Sequence, residues 1–395
     1  MFPMPRKLFI LLSLILTAYC TTASLAEPGV TDSAILIGSS LALTGPGGEL
    51  GTQTYRGMMA CINALNEAGG VHGRKIAVIS YDDEYNPIKC VENTKKLIES
   101  DGIFALSCYV GTPTAGKAMP LWKNAKIPLV GFYTGVVPIL RNPFQRYNIH
   151  IRASYFQETS AMMNVLVNTL NKKKIAVFYQ YDSFGEAIKK DTETSLASYG
   201  LTPVAYGTFD KNAPDVSTAL KLIKAAAPDA VVLVGAYGTH MVLAEFVHEA
   251  KKAGMSQALF YTLNVIGSEE FAKSLGKDSS RCIVSQVTPP YDDAQLPLAN
   301  EYRKALQKYF PKDTPGFVGF EGFINTKILT EGLKKAGKEV TREGLIDAIS
   351  ALGNFDFGGI QVGYGPQDHE GMDKVYLTGI KDGKYYEIKD WSVYK

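Results

Sequence analysis

Residues 101–135 read DGIFALSCYVGTPTAGKAMPLWKNAKIPLVGFYTG, and the fold is decided there. Residues 103–110 are a short apolar run without charge, the pattern of a strand buried on both faces. Gly111-Thr112-Pro113-Thr114 interrupts the run. Thr112 suits a helix N-cap, and Pro113 suits the first helical position, where its missing N–H costs nothing. The spacing predicts about three helical turns to Ala125, then a strand over residues 127–133 that ends in Thr134-Gly135. Such a βαβ unit puts two small-residue turns at the carboxyl ends of parallel strands, where open α/β sheets bind ligands.

The same order recurs in residues 228–267, PDAVVLVGAYGTHMVLAEFVHEAKKAGMSQALFYTLNVIG. Gly111-Thr112 returns as Gly238-Thr239, and Phe132-Tyr133-Thr134 as Phe260-Tyr261-Thr262, at offsets of 127 and 128 residues. Because the register holds across the unit, two similar α/β lobes are expected, each offering a Gly-Thr turn and a Tyr-Thr turn. Two such lobes facing each other make a cleft.

Working outward, residues 1–26 read as a targeting segment. Arg6 and Lys7 give the positive start, and residues 8–18 an apolar core too short to span a bilayer as a mature helix. Ser24-Leu25-Ala26 offers small residues for signal peptidase, so cleavage before Glu27 and a periplasmic destination are expected. Cys20 follows Tyr19, a poor match for lipid attachment. Loss of Arg6 and Lys7 takes 41 basic residues to 39, against 39 acidic ones. With no charge imbalance and no basic stripe, nucleic acid is not an expected partner. About 370 residues exceed one ordinary core and fit two lobes.

Residues 34–43 are the first strand, closed by a Gly-rich turn that lacks the third glycine of a dinucleotide fingerprint. Residues 55–67 are a helix, 75–81 a strand, and Asn86-Pro87 opens the next helix. The chain crosses into lobe two around residues 141–152. There residues 157–170, 174–179, 202–206 and 216–227 read helix, strand, strand and helix, and 282–287 a further strand. Pro289-Pro290 marks the return. Helices follow over 298–309, 319–336 and 342–351, then short alternating β runs from Gly358 onward. His72, His150, His240, His248 and His369 are dispersed, so no metal and no cofactor is expected. Ser274-Leu-Gly-Lys277 lacks the partner motifs of an acylating serine, and no P-loop or nucleophile elbow occurs.

Leu43-Thr44-Gly45-Pro46, residues 66–74 (NEAGGVHGR), Tyr81-Asp82-Asp83, Gly111-Thr112 and residues 181–186, in this order, resemble the leucine/isoleucine/valine-binding proteins. These are type I periplasmic substrate-binding proteins of ABC transporters. The resemblance runs from about residue 34 to the C-terminus. It implies an α/β fold of two doubly wound lobes with mainly parallel sheets joined by three hinge crossings. Lobe one is then 27–152 plus 288–370, and lobe two 153–287 plus 371–395. It also implies a monomer that closes on a small solute and delivers it to an ABC permease of the inner membrane. Position by position, Gly111 and Thr112 would take the ligand's carboxylate. The turn Phe132-Tyr133-Thr134 would hold its amino end, through a backbone carbonyl and the Thr134 hydroxyl. Phe184 and Tyr237 would close from lobe two, and Leu50 would line lobe one.

Two departures bear on the ligand. Asn264 stands where the family's amino-acid binders carry an acid for the ligand ammonium, and no other acid is clearly placed. A small carboxylate solute is therefore expected, its α-amino group helpful or neutral, with Asn264→Asp favouring amino acids. The family's cysteine pair is displaced onto Cys90 and Cys108, by about 7.5 Å along the helix and 6.6 Å along the antiparallel strand, in one direction. The resemblance thus implies a Cys90–Cys108 bridge, with Cys61–Cys90 the rival and Cys282 alone. Arg152 is left between pairing with a carboxylate at a crossing and solvation at the surface. Asp82 and Asp83 read as turn and capping residues. The rival functions are a secreted α/β enzyme using either aspartate as base, and a receptor protein feeding a signalling partner.

Overall fold

A computed structural model of the chain describes residues 27–395, apart from Pro46, residues 211–214 and Tyr237. The targeting segment with Cys20, and the candidate Tyr237, lie outside the described residues.

The first apolar run forms β1 (Ala34–Leu41), followed by α1 (Gly48–Glu67), β2 (Lys75–Asp82), α2 (Pro87–Glu99) and β3 (Ala105–Val110). Then come α3 (Thr112–Asn124), β4 (Leu129–Tyr133) and β5 (Asn148–Ile149). These five strands make one parallel sheet in the order β2-β1-β3-β4-β5. Helix α1 starts at Gly48, well before the expected Tyr55. A Cβ on Gly51 would stand 1.7 Å from the Ala42 carbonyl oxygen, so the glycines read as a turn are what let the helix begin against the end of β1. Asn86 caps α2 by accepting the Ile88 N–H at 2.8 Å.

The chain then enters a second sheet. It runs α4 (Tyr155–Asn164), extended by a π-helical turn over Val165–Thr169, β6 (Ile175–Gln180), α5 (Ser183–Ala197) and β7 (Ala205–Phe209). It continues with α6 (Ser217–Ala225), β8 (Ala230–Val234), α7 (His240–Lys252), β9 (Leu259–Leu263), α8 (Ser268–Leu275) and β10 (Cys282–Gln286). Helix α8 was not expected from the sequence. Three helices return to the first sheet: α9 (Pro297–Tyr309), α10 (Phe317–Ala336) and α11 (Arg342–Ser350). A hairpin of β11 (Asn354–Asp356) and β12 (Gln361–Gly363) precedes β13 (Tyr376–Lys381) and β14 (Lys384–Glu387). The last two strands join the second sheet antiparallel, giving the order β14-β13-β10-β9-β8-β6-β7.

The two lobes are α/β with mainly parallel sheets, and the chain passes between them three times: before α4, after β10, and between β12 and β13. The first and third passages lie side by side. His150 donates its N–H to the His369 carbonyl at 2.8 Å, and Gly371 donates to the His150 carbonyl at 3.0 Å. Helices α1 and α10 pack together on one face of the first sheet, and α2 and α3 cover the other. Gly57 sits at the α1–α10 contact, where a Cβ would meet the Gly319 carbonyl oxygen at 1.9 Å. The apolar core of lobe one runs without a break into the α4–α5 side of lobe two, and a second core lies under α6, α7 and α8.

The expected Cys90–Cys108 bridge is not formed; Cys61, Cys90, Cys108 and Cys282 are all free and buried. The sheet separates the first pair. Tyr109 reaches α2, its hydroxyl 2.9 Å from Thr94, which bonds the Cys90 carbonyl. Cys108, in the left-handed region at φ 57°, faces the opposite way, toward Asn325 and Thr326 of α10. Burial pushes the Cys108 thiol up to about 11. Native protein should therefore resist maleimide at these four positions. The same protein denatured without reductant should be labelled at all four. A Cys90 and Cys108 left unlabelled together would restore the bridge.

Candidate functional site

In each sheet the winding reverses beside one strand pair: between β1 and β3 in lobe one, and between β6 and β8 in lobe two. Crevices open at the carboxyl ends of such pairs. At the end of β3, Gly111 has φ 100° and its N–H donates to the Tyr133 carbonyl at 3.3 Å. A Cβ there would stand 2.6 Å from the Tyr85 ring and 2.7 Å from the Thr114 hydroxyl, so only glycine fits. Gly111, not Thr112, is the N-cap of α3. The left-handed glycine starts the helix one residue early, and the Thr112 side chain bonds Thr134 instead, the two hydroxyls sharing a hydrogen bond of 2.7 Å. The two small-residue turns of the central unit are thus brought together.

Lobe two supplies the opposite wall. Asp182 caps α5 by accepting the N–H groups of Phe184 (3.0 Å) and Gly185 (3.1 Å), and this places the Phe184 ring. Phe184 packs edge-on against Tyr155, centroids 5.6 Å apart. Tyr155 opens α4 just after Ser154, whose hydroxyl and Gln157 form a capping box. Burial raises the Tyr155 phenol. Arg152 opposes that shift, together with the Thr134 and Thr112 hydroxyls and the Gly135 amide, which turn toward the phenol oxygen. Thr112, Thr134, Tyr155 and Phe184 are all buried, so the lobes meet in a closed seam here.

The remaining predicted residues divide. Leu50 is buried in the first turn of α1. Phe132 faces away from the seam and stacks on His150 at 4.4 Å, leaving only its backbone for a solute. Tyr133 points under the seam, its ring 5.2 Å from the Arg152 guanidinium. In the second βαβ unit Thr239 is the N-cap of α7 and bonds the Ala236 carbonyl at 2.6 Å. Tyr261 turns inward, its hydroxyl 3.1 Å from the Ser285 hydroxyl. The repeat therefore holds in topology, while its Tyr-Thr turn packs lobe two.

Sequence reasoning left Arg152 undecided and missed what surrounds it. Arg152 is fully buried; its Nη2 donates to Glu158 Oε1 at 2.9 Å and to Asn264 Oδ1 at 2.6 Å, and its Nη1 lies 3.4 Å from Glu321 Oε1. Burial alone would lower the guanidinium, but Glu321 and Glu158 outweigh it. Asn264 also donates to Glu321 Oε2 at 3.2 Å, so both ends of its amide are spent on protein. The view that no acid is placed near this position is thereby corrected: Glu158 of α4 and Glu321 of α10 both reach it. A single acid in the otherwise uncharged run 317–326 was the available signal for Glu321.

Asp82 and Asp83 organise turns. Asp82 accepts the N–H groups of Leu43 (2.8 Å) and Glu84 (2.9 Å), and Asp83 accepts the Ser40 hydroxyl (2.8 Å) and the Tyr85 N–H (2.9 Å). Burial pushes Asp83 up to about 6. Both Ser40 and Asp83 are fully buried, so no substrate reaches that hydroxyl–carboxyl pair.

A periplasmic binding protein family profile matches residues 34–384. A possible leucine/isoleucine/valine-binding protein from Rhodopirellula baltica SH 1 is 28% identical, with TM-score 0.83 over 90% of this chain and 96% of that one. A substrate-binding periplasmic protein from Ralstonia solanacearum is 27% identical, with TM-score 0.80 over 88% and 98%. Among relatives by sequence, Leu/Ile/Val-binding protein homolog 7 of Brucella suis biovar 1 is 25% identical over 94% of this chain and 96% of its own length.

Proposed function

The chain belongs to the periplasmic binding protein family, a family of binders and not enzymes, and from that premise we propose that it captures a small carboxylate or amino-acid-like solute between its lobes in the periplasm and presents it to an ABC permease of the inner membrane. One observation carries this reading: Gly111, Thr112 and Thr134 of lobe one lie across a closed seam from Tyr155 and Phe184 of lobe two. A solute carboxylate between those walls meets hydroxyl donors and the amino end of α3, where the helix dipole favours an anion. Gly111 lets it approach the main chain closely. Phe184 and Tyr155 supply an apolar wall for an aliphatic or aromatic tail.

Closure follows from differential affinity. A solute touching both walls binds the closed state more tightly than the open one and shifts the population toward it, and a permease that recognises the closed shape receives only loaded protein. Leucine, isoleucine and valine head the solutes to test, because the Rhodopirellula baltica and Brucella suis proteins are named for them; the corresponding des-amino acids follow.

A thermal-shift screen identifies the solute through stabilisation by mass action. Calorimetry then tests the placement. A hydrogen bond to a charged group contributes about 1.5–3 kcal/mol, so Thr112→Ala should weaken the best solute about ten- to a hundredfold. Equal affinity in wild type and variant would place the carboxylate elsewhere. Scattering at saturation should show a smaller radius of gyration than in solute-free protein, and an unchanged radius would count against the two-lobe trap.

A further inference from the structure

Where the lobes join, two carboxyls face one guanidinium. Arg152 lies on the first passage, Glu158 on α4 of lobe two and Glu321 on α10 of lobe one, and all three side chains have no exposed surface. The other groups turned toward Glu321 are Asn264, the Tyr133 phenol and the Cys108 thiol, and Glu269 of α8 lies beyond Tyr133. None is a cation. Arg141, which spends its Nη2 on the Arg152 carbonyl, is matched by Glu370 at 2.7 Å. With every acid ionised, the sealed cluster therefore carries one negative charge too many, and an uncompensated buried charge costs several kcal/mol.

We propose that this cluster is a proton site, and that closing the cleft takes up one proton on the Glu321 carboxyl. The inference rests on the reading that the lobes open and close. Burial raises Glu158 as well, but its ionised form is the better supplied of the two, accepting Arg152 Nη2 at 2.9 Å and the Ser285 hydroxyl at 2.5 Å. Glu321 is poorly supplied. Among the described residues its Oε2 takes one amide N–H at 3.2 Å, and its Oε1 has only the Arg152 Nη1 at 3.4 Å and the Tyr133 phenol turned toward it, neither in good hydrogen-bond geometry. A proton on Oε1 removes the surplus charge.

The cross-lobe geometry ties this proton to closure. Asn264 belongs to lobe two and Glu321 to lobe one, so opening parts them and admits water to an ordinary carboxyl. In the closed state burial pushes Glu321 up from 4.5 to about 7, with Arg152 opposing. An acid raised on closing favours closure below its open-state value. That advantage is lost as pH rises toward about 7, close to tenfold in the closing equilibrium per pH unit, and nothing further is lost above.

The test needs no solute. Infrared difference spectra of wild type and Glu321→Gln at about pH 6 should show one protonated carboxyl in wild type that Glu321→Gln lacks, and that wild type itself loses by about pH 9. Asp83 and Asp191, each within one lobe, and Glu269, which accepts the Phe317 N–H across the lobes, are also pushed up by burial, and their bands remain in the variant. Small-angle scattering should show wild type expanding between about pH 4.5 and pH 7.5 while Glu321→Gln stays compact. A spectrum unchanged by Glu321→Gln would overturn the site. A wild-type radius that ignores pH would overturn its coupling to closure, even where the variant does not fold. A failed solute screen with the carboxyl band present would leave the proton site standing and sink the solute reading alone.

Discussion

Arg152→Met is expected to lower stability by about 3–5 kcal/mol, because it strands the buried, ionised Glu158 carboxylate without its partner. The cost is not the removal of a favourable ion pair as such. In a site with no exposed surface the attraction between Arg152 and the ionised Glu158 largely offsets their desolvation, and that balance fails when the cation alone is deleted. A triple variant, Arg152→Met with Glu158→Leu and Glu321→Leu, should therefore recover much of the loss, since similar-sized apolar groups leave no charge behind. Denaturant melts of the two variants decide this. If the single change costs under about 1 kcal/mol, the guanidinium is an ordinary surface charge, and the burial described for it is wrong.

Gly111→Ala should cost solute affinity about a hundredfold or more, a larger loss than Thr112→Ala alone produces. A Cβ at φ 100° is strained by about 1–3 kcal/mol, and it also meets the Tyr85 ring at 2.6 Å. Relief requires the turn to move, which re-aims the Thr112 hydroxyl and the first N–H groups of α3 together. Gly254→Ala is the control. It has φ 97° and no atom within 4 Å of the added carbon, so it brings backbone strain with no clash, after α7 and away from the seam. Calorimetry should find Gly254→Ala binding as wild type and Gly111→Ala binding poorly. Parallel losses in both would assign the effect to global stability.

The βαβ units were legible because their information is local. An uncharged run, a Gly-Thr break, a proline at the first helical position and a second run give the elements in order, and β3-α3-β4 and β8-α7-β9 stand where that pattern put them. Local information fails where a residue's role is set by another layer. The glycines after β1 resemble a loop until the Ala42 carbonyl is seen against Gly51. The cysteine pairing failed for the same reason: spacing along a helix and a strand says how far two thiols lie along the sheet, and not which face each one takes.

By itself, then, the sequence determined two similar doubly wound lobes, the small-residue turns at their strand ends, and a family resemblance strong enough to predict a cleft. Tertiary structure alone decided what stands in that cleft. Arg152, Glu158, Asn264 and Glu321 are separated by up to 169 positions, and each looks unremarkable in its own segment. They meet because two sheets close against each other beside the passages between them. The physical reason is that hydrophobic periodicity specifies which face of an element is buried, whereas the charge balance of a buried cluster depends on which faces are buried together.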